Sequence, residues 1–235
     1  MDVFRSRADR PVSDRSRTDG LLASAAGGTP ALSVWRPPGV MAFGRRDVRD
    51  DGFDRAAQIA ESRGFQPIER DVGGRAVAYP GETLAFAHAV PIAGASASIT
   101  DRYERATETL IGALRELGAD VVTGEPEASF CPGEHSIRAA DGGKLAGLAQ
   151  RVRADAALVS GCVVVTSTDA DAIAAVTEPV YDALSVRFDP ASIGSVAAAG
   201  GPATPDVVAR AVEDAFADGP WGSGRCRTGR VEDGR

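Results

Sequence analysis

The stretch "SFCPGEHSIRAADGGKLAGLAQR", residues 129–151, holds a cysteine at a bend and, 13 positions later, Lys144. Lys144 is the sole lysine of a 235-residue chain that carries 25 arginines. Cys131 follows Phe130 and precedes Pro132-Gly133, a turn that can present a thiol to a cleft. A free thiol titrates near about 8.5, and a neighbouring cation lowers that value and favours the nucleophilic thiolate. Lys144 is that cation if the 132–143 loop folds back; its ammonium could also polarise an acyl carbonyl or deliver a proton. Taken alone, the same residues are compatible with an inert buried cysteine and a surface lysine. His135, near Cys131 in sequence, is a candidate for assisting the thiol. His88, inside "LAFAHAV", reads as a core or cleft-edge histidine. Cys162, inside "VSGCVVV", reads as part of an apolar strand.

A second segment, "ERDVGGRAVAYPG" at 69–81, places Gly73-Gly74 between two strand patterns. Without a Cβ, the backbone there can approach a ligand closely. Arg70 and Arg75 flank the turn and suit a carboxylate or phosphate, or they are solvated arginines beside a hairpin. The spacing is neither a P-loop nor a dinucleotide fingerprint. In "GGKLAGLAQR", Gly142-Gly143 turns the chain into a strand that starts at Lys144, and Gly147 keeps one face of it uncrowded.

These residues need elements to position them. With 43% hydrophobic and 25% charged residues, the chain can bury one good core. Its net charge of −7 repels phosphate backbones and argues against nucleic acid as a partner. The cysteines Cys131, Cys162 and Cys226 form no pair with redox or metal spacing, which suits a reducing cytoplasm. His88 and His135 are not spaced as metal ligands, so no metal site is expected. No apolar secretory segment opens the chain, and the uncharged run Thr83–Thr100 is broken by Pro91 and Gly94, so no membrane span is expected.

Residues 1–30 and 219–235 lack hydrophobic periodicity and read as disordered tails. Between them, 31–218 reads as one domain. Strands are predicted at 31–36, 39–45, 65–71, 75–80, 83–91, 120–124, 135–140, 144–152 and 157–165. Helices are predicted at 51–64, 101–117 (opened by Asp101 and Glu104), about 170–184, and 205–217. Strands do not alternate strictly with helices, which predicts an α+β fold with a mixed, largely antiparallel sheet.

Three segments, in this order and spacing, resemble the catalytic domain of the biotin/lipoate protein ligase superfamily. They are "SVWRPPGVMAFGRRDV", "PIERDVGGRAVAYPGETLAFAHAVP" and "GGKLAGLAQRV". The last two resemble its R-R-x-x-G-G-G-A-V-x-H and K-[IV]-[AS]-G-x-[AS]-Q-R signatures. The biotin-ligase pattern G-R-G-R-x-x-R is missing, so the resemblance is to the lipoate side. "SFCPGEHSI" looks like the F-C-P-G-x-Y-D-[LI]-S segment of cysteine-dependent octanoyl/lipoyl amidotransferases. The resemblance implies that Cys131 carries the acyl group as a thioester with Lys144 as its partner, and that Gly73, Gly74, Arg75 and Ala76 form the acyl-pocket turn. It further implies an acceptor lysine on a lipoyl domain of a 2-oxoacid dehydrogenase subunit or on glycine-cleavage H protein, and no cofactor.

Glu69 stands for the first usual arginine, Arg75 for the third glycine, Tyr79 for a common histidine, and His135-Ser136 for Tyr-Asp. The missing arginine and the missing third glycine weaken the case for an adenylate site. The alternatives are an ATP- and Mg-dependent lipoate–protein ligase, with an accessory domain on a separate chain, and a non-catalytic lipoyl-domain-binding module.

Overall fold

The computed structural model describes residues 1–5, 14–70, 73–92, 98–219 and 227–229. The first half runs β1 (Asp2–Arg5), α1 (Asp14–Ala26), β2 (Ala31–Trp35), β3 (Val40–Phe43), α2 (Arg45–Val48), α3 (Phe53–Ser62), β4 (Gln66–Glu69), β5 (Val77–Tyr79) and β6 (Leu84–Pro91). The second runs α4 (Ile99–Glu116), β7 (Val121–Thr123), β8 (Ser136–Ala139), β9 (Lys144–Val152), β10 (Ala156–Val163), α5 (Ser167–Ala183), α6 (Pro205–Asp218) and β11 (Arg227–Gly229).

Eight strands form one sheet in the order β11-β1-β2-β6-β10-β9-β8-β7. Its pairings are antiparallel except at β11–β1 and β1–β2. A second sheet, β4-β3-β5, lies against one face of the first. Strand alternation explains how one sheet serves two cores. Along β6, Ala85, Ala87 and Ala89 face a core shared with α1, α3, α5 and the small sheet. Leu84, Phe86 and Val90 face the opposite way; of these, Leu84 and Phe86 join a core with α4 and α6. Small alanines on the first face let the second sheet approach, and the site opens between the sheets.

The α+β expectation holds, with three local corrections. Residues 1–30 were expected to be a tail, yet β1 pairs with β2 and α1 buries Leu21, Leu22 and Ala25. Those few apolar residues follow the polar run "DRSRTDG" and are too sparse to show helical periodicity. Helix α4 begins at Ile99 rather than Asp101, because Ser98 is the N-cap: its Oγ accepts from the Asp101 N–H at 3.0 Å, and the Asp101 carboxylate accepts from the Ser98 N–H at 2.8 Å. That reciprocal pair outcompetes the Asp101/Glu104 start. Of the expected C-terminal tail, 227–229 pairs with β1, while 220–226, with Cys226, and 230–235 lie outside the described residues. Among the described residues no helix is long and apolar enough to cross a membrane.

Candidate active site

The loop from β7 to β8 is built around one carboxylate. Glu125 accepts from Ser129 and Ser136 hydroxyls, from the Gly133 N–H at 3.2 Å and from Lys144 Nζ at 3.0 Å. Wrapped in this way, the loop holds Ala128 and Cys131 in the left-handed region, at φ 52° and 42°. Such conformations in non-glycine residues cost about 1–3 kcal/mol and persist only where surrounding contacts enforce them.

Lys144 begins β9 and is fully buried. Its ammonium donates to the carbonyls of Phe130 at 3.0 Å and Cys131 at 2.7 Å, besides pairing with Glu125. It also lies 5.1 Å from the centre of the Phe130 ring. The structure therefore brings the lone lysine to Cys131, as its spacing suggested, but to the backbone rather than the sulfur. Gly147 makes room for it: a Cβ there would lie 3.1 Å from Lys144 Cε.

The cation at the sulfur is Arg70. Its Nη2 donates to Cys131 Sγ at 3.3 Å and to the Arg75 carbonyl at 2.6 Å. Burial alone would lower the Arg70 guanidinium, but its electrostatic interaction with the neighbouring Cys131 and Tyr79 side chains raises it above the ordinary arginine range. Gly74, at φ 100°, lies against both groups; a Cβ on it would fall 2.6 Å from Cys131 Sγ and 2.8 Å from Arg70 Nη2. Gly74→Ala is therefore expected to displace the thiol and cut turnover by about 100-fold, with a far smaller change in Tm. Steady-state rates beside a thermal melt check it.

Tyr181, on α5, joins turn and cysteine. Its hydroxyl donates to the Ala76 carbonyl at 2.9 Å and accepts from the Cys131 N–H at 2.7 Å. Burial, reinforced by negative charge at Cys131, pushes that hydroxyl well above the tyrosine range, so it stays neutral.

Other expected site residues fall elsewhere. Arg75 pairs with buried Asp47 at 2.8 Å instead of facing a ligand. Asp47 also accepts from the Gly44 N–H, and Gly44 tolerates no side chain, since its Cβ would strike the Gly74 carbonyl at 1.9 Å. Arg75 thus anchors the glycine turn. Ala76 is buried and contributes only its carbonyl to the Tyr181 bond. His135 stacks on Tyr103 at the cleft wall, with centroids 3.8 Å apart, rather than assisting the thiol. Asp71 and Val72 lie outside the described residues.

His88 is on the far face of β6, edge-on to Phe216 of α6 at 5.2 Å, so it belongs to the α4–α6 side and not to the cleft. Burial lowers its pKa to about 4. The unfolded chain therefore binds more protons than the folded one between about 6.5 and 4, and stability falls as pH drops through that window, by up to about 3 kcal/mol. Denaturant melts at pH 7 and pH 4.5 should show the loss, and His88→Leu should reduce it.

The sheets and the 125–136 loop enclose a cleft of about 380 Å³ whose lining includes Trp35, Val40, Ile68, Val77, Tyr79 and Cys131. Cys162 also lines it, but burial pushes that thiol up to about 11, and it stays protonated. The arrangement suits covalent acyl transfer: an apolar slot, a half-buried thiol on a strained bend, and a guanidinium facing the sulfur. Sequence reading missed Glu125, Tyr181, Asp47 and Gly44. A lysine that is to be buried needs a counter-ion, and that requirement is the signal that could have led to the nearby acids, Glu125 among them. Tyr181 looks like any core aromatic on a helix.

A mixed sheet carrying an acyl-sized cleft beside a glycine turn defines the class. The chain belongs to the lipoyl protein ligase A/B catalytic domain family, which matches residues 17–217. It is 29% identical over 153 residues to the octanoyl-GcvH:protein N-octanoyltransferase of Lysinibacillus sphaericus, covering 64% of this chain and 55% of that protein. It is 26% identical over 141 residues to the lipoyl-GcvH:protein N-lipoyltransferase of Listeria monocytogenes, covering 57% and 49%. The chain thus spans about half the length of these curated relatives. Its fold superposes on the bi-partite lipoate protein ligase of Thermoplasma acidophilum with a TM-score of 0.71 at 17% identity, covering 99% of this chain and 87% of that one.

Proposed function

We propose that the protein moves an octanoyl or lipoyl group from a carrier lysine to an acceptor lysine through a Cys131 thioester. The observation that carries this is the Cys131 thiol on its strained bend, with Arg70 Nη2 at 3.3 Å. The Cys131 sulfur attacks the acyl carbonyl of the donor amide, forming the C–S bond. Collapse breaks the C–N bond, and the leaving amine takes the proton the thiol gave up. The acceptor's neutral lysine amine then attacks the thioester, forming the new amide and returning the thiol. Arg70 holds negative charge at the sulfur before attack and after release. Tyr181 and Lys144, bonded to the backbone N–H and C=O of Cys131, keep the sulfur in place.

The relatives named above act on GcvH, which supports the glycine-cleavage H protein as one carrier. Lipoyl domains of 2-oxoacid dehydrogenase subunits are the proposed acceptors, and a reducing cytoplasm is the proposed setting. No cofactor is needed. ATP and Mg, which the ligase reading requires, fit these residues less well: the Lys144 ammonium already has three partners, and Arg75 is bound to Asp47. The deciding assay follows transfer from an octanoylated H protein to a lipoyl domain without nucleotide. Transfer is expected. Acceptor modification only by free lipoate plus ATP, undiminished in Cys131→Ser, would establish the ligase instead.

A further inference from the structure

Arg70 uses Nη2 twice, on the Cys131 sulfur and on the Arg75 carbonyl, but its Nε–H is enclosed and meets no acceptor among the described residues. A buried N–H without a partner is rare in folded proteins and calls for a specific cause. In a guanidinium, Nε–H and one Nη–H point the same way and form a fork suited to a single oxygen or a carboxylate. Gly74 borders this space from the other side. The point its Cβ would occupy lies 2.6 Å from Cys131 Sγ and 2.8 Å from Arg70 Nη2, so the missing side chain keeps the region between sulfur and guanidinium open. Lys144 does not compete for the role, its ammonium being held by Glu125 and two carbonyls. The Cys131 N–H, often an oxyanion donor in thiol enzymes, is spent on Tyr181.

We propose that Arg70 is the oxyanion donor of the transfer reaction, its Nε–H, joined by the Nη2–H that the sulfur releases as it is acylated, binding the acyl oxygen at Cys131. This deepens the transferase reading and rests on it. As the C–S bond forms, the carbonyl π pair moves to oxygen, and the oxygen, one bond removed from the carbon now on sulfur, comes within the fork. The charge first held as thiolate is handed to that oxygen while the same guanidinium stays in contact. When the C–N bond breaks, the pair returns to the carbonyl and the Arg70 Nε–H again faces a neutral thioester oxygen. A donor aimed at the developing charge stabilises the transition state more than the ground state.

The test separates activation of the sulfur from stabilisation of the oxygen. p-Nitrophenyl octanoate reports acylation by its burst of nitrophenolate, and iodoacetamide reports thiolate reactivity, because alkylation makes no oxyanion. Arg70→Lys keeps the charge but loses the fork. Its acylation rate is expected to fall about 100- to 1,000-fold, while alkylation changes by less than about tenfold. Arg70→Ala, read with added ethylguanidinium, guards against a turn that fails to settle around lysine; recovered acylation supports the proposal. Parallel losses of acylation and alkylation in Arg70→Lys would overturn it, as would unchanged acylation. A wild-type protein that shows no burst at all would instead sink the transferase reading.

Discussion

Cys131→Ser is expected to abolish acyl transfer, by at least about 1,000-fold, while leaving the fold intact. The serine hydroxyl is a poor nucleophile without a general base, and no histidine is placed to act as one: His88 lies on the far face of β6 and His135 is stacked on Tyr103. The guanidinium that supports a thiolate cannot remove a hydroxyl proton. Structurally the change is small. The sulfur accepts one hydrogen bond, from Arg70, which hydroxyl oxygen can still accept, and the backbone bonds to Tyr181 and Lys144 do not depend on the side chain. Stability should stay within about 0.5 kcal/mol. Transfer assays and thermal melts on the same preparation check both halves.

Lys144→Met is expected to cost both stability and activity. The substitution keeps most of the volume but removes the charge from a fully buried position, leaving Glu125 without its counter-charge and the carbonyls of Phe130 and Cys131 without the ammonium that donates to them. Breaking a buried ion pair from one side costs about 3–5 kcal/mol. Glu125 keeps 25% exposure, so the lower end, about 3 kcal/mol, applies. For a chain of this length that lowers Tm by roughly 10 °C. Transfer should fall with it, because the 125–136 loop no longer fixes the Cys131 bend. Lys144→Arg restores charge but not fit: the guanidinium is larger than the space between Gly147, Phe130 and the loop carbonyls. It should recover part of the stability and little of the turnover. A Lys144→Arg enzyme with normal turnover would contradict the argument that a compact ammonium is required there.

The strands and helices were legible where hydrophobic patterning is strong. β6, β9, β10 and α6 lie within a residue or two of expectation, since alternating or continuous apolar runs between turns leave few alternatives. α1 was not legible because its buried face mixes Arg17 and Thr18 with Leu21, Leu22 and Ala25, and its stability comes from packing on β2, β6 and β10. The pairing of Cys131 with Lys144 was visible as spacing plus the rarity of lysine. Which atom the ammonium would reach was not visible, since that depends on how the loop closes around Glu125. The exchange of roles between Lys144 and Arg70 has the same origin. Arg70 leads out of β4 next to the glycine turn, and only the meeting of the two sheets puts its guanidinium beside the sulfur. Of the two readings of His88, core or cleft edge, the core one holds, and the choice was not legible for a simpler reason: strand period two fixes which residues share a face, but not which face meets the cleft.

The measurement closest to the central claim is intact-protein mass spectrometry of wild type after incubation with an octanoylated H protein, with ATP and magnesium omitted, followed by peptide mapping. One octanoyl adduct is expected, removed by neutral hydroxylamine as a thioester is, mapping to Cys131 and discharged on adding an acceptor domain. Efficient transfer with no adduct on Cys131, or an adduct on another residue, would contradict it.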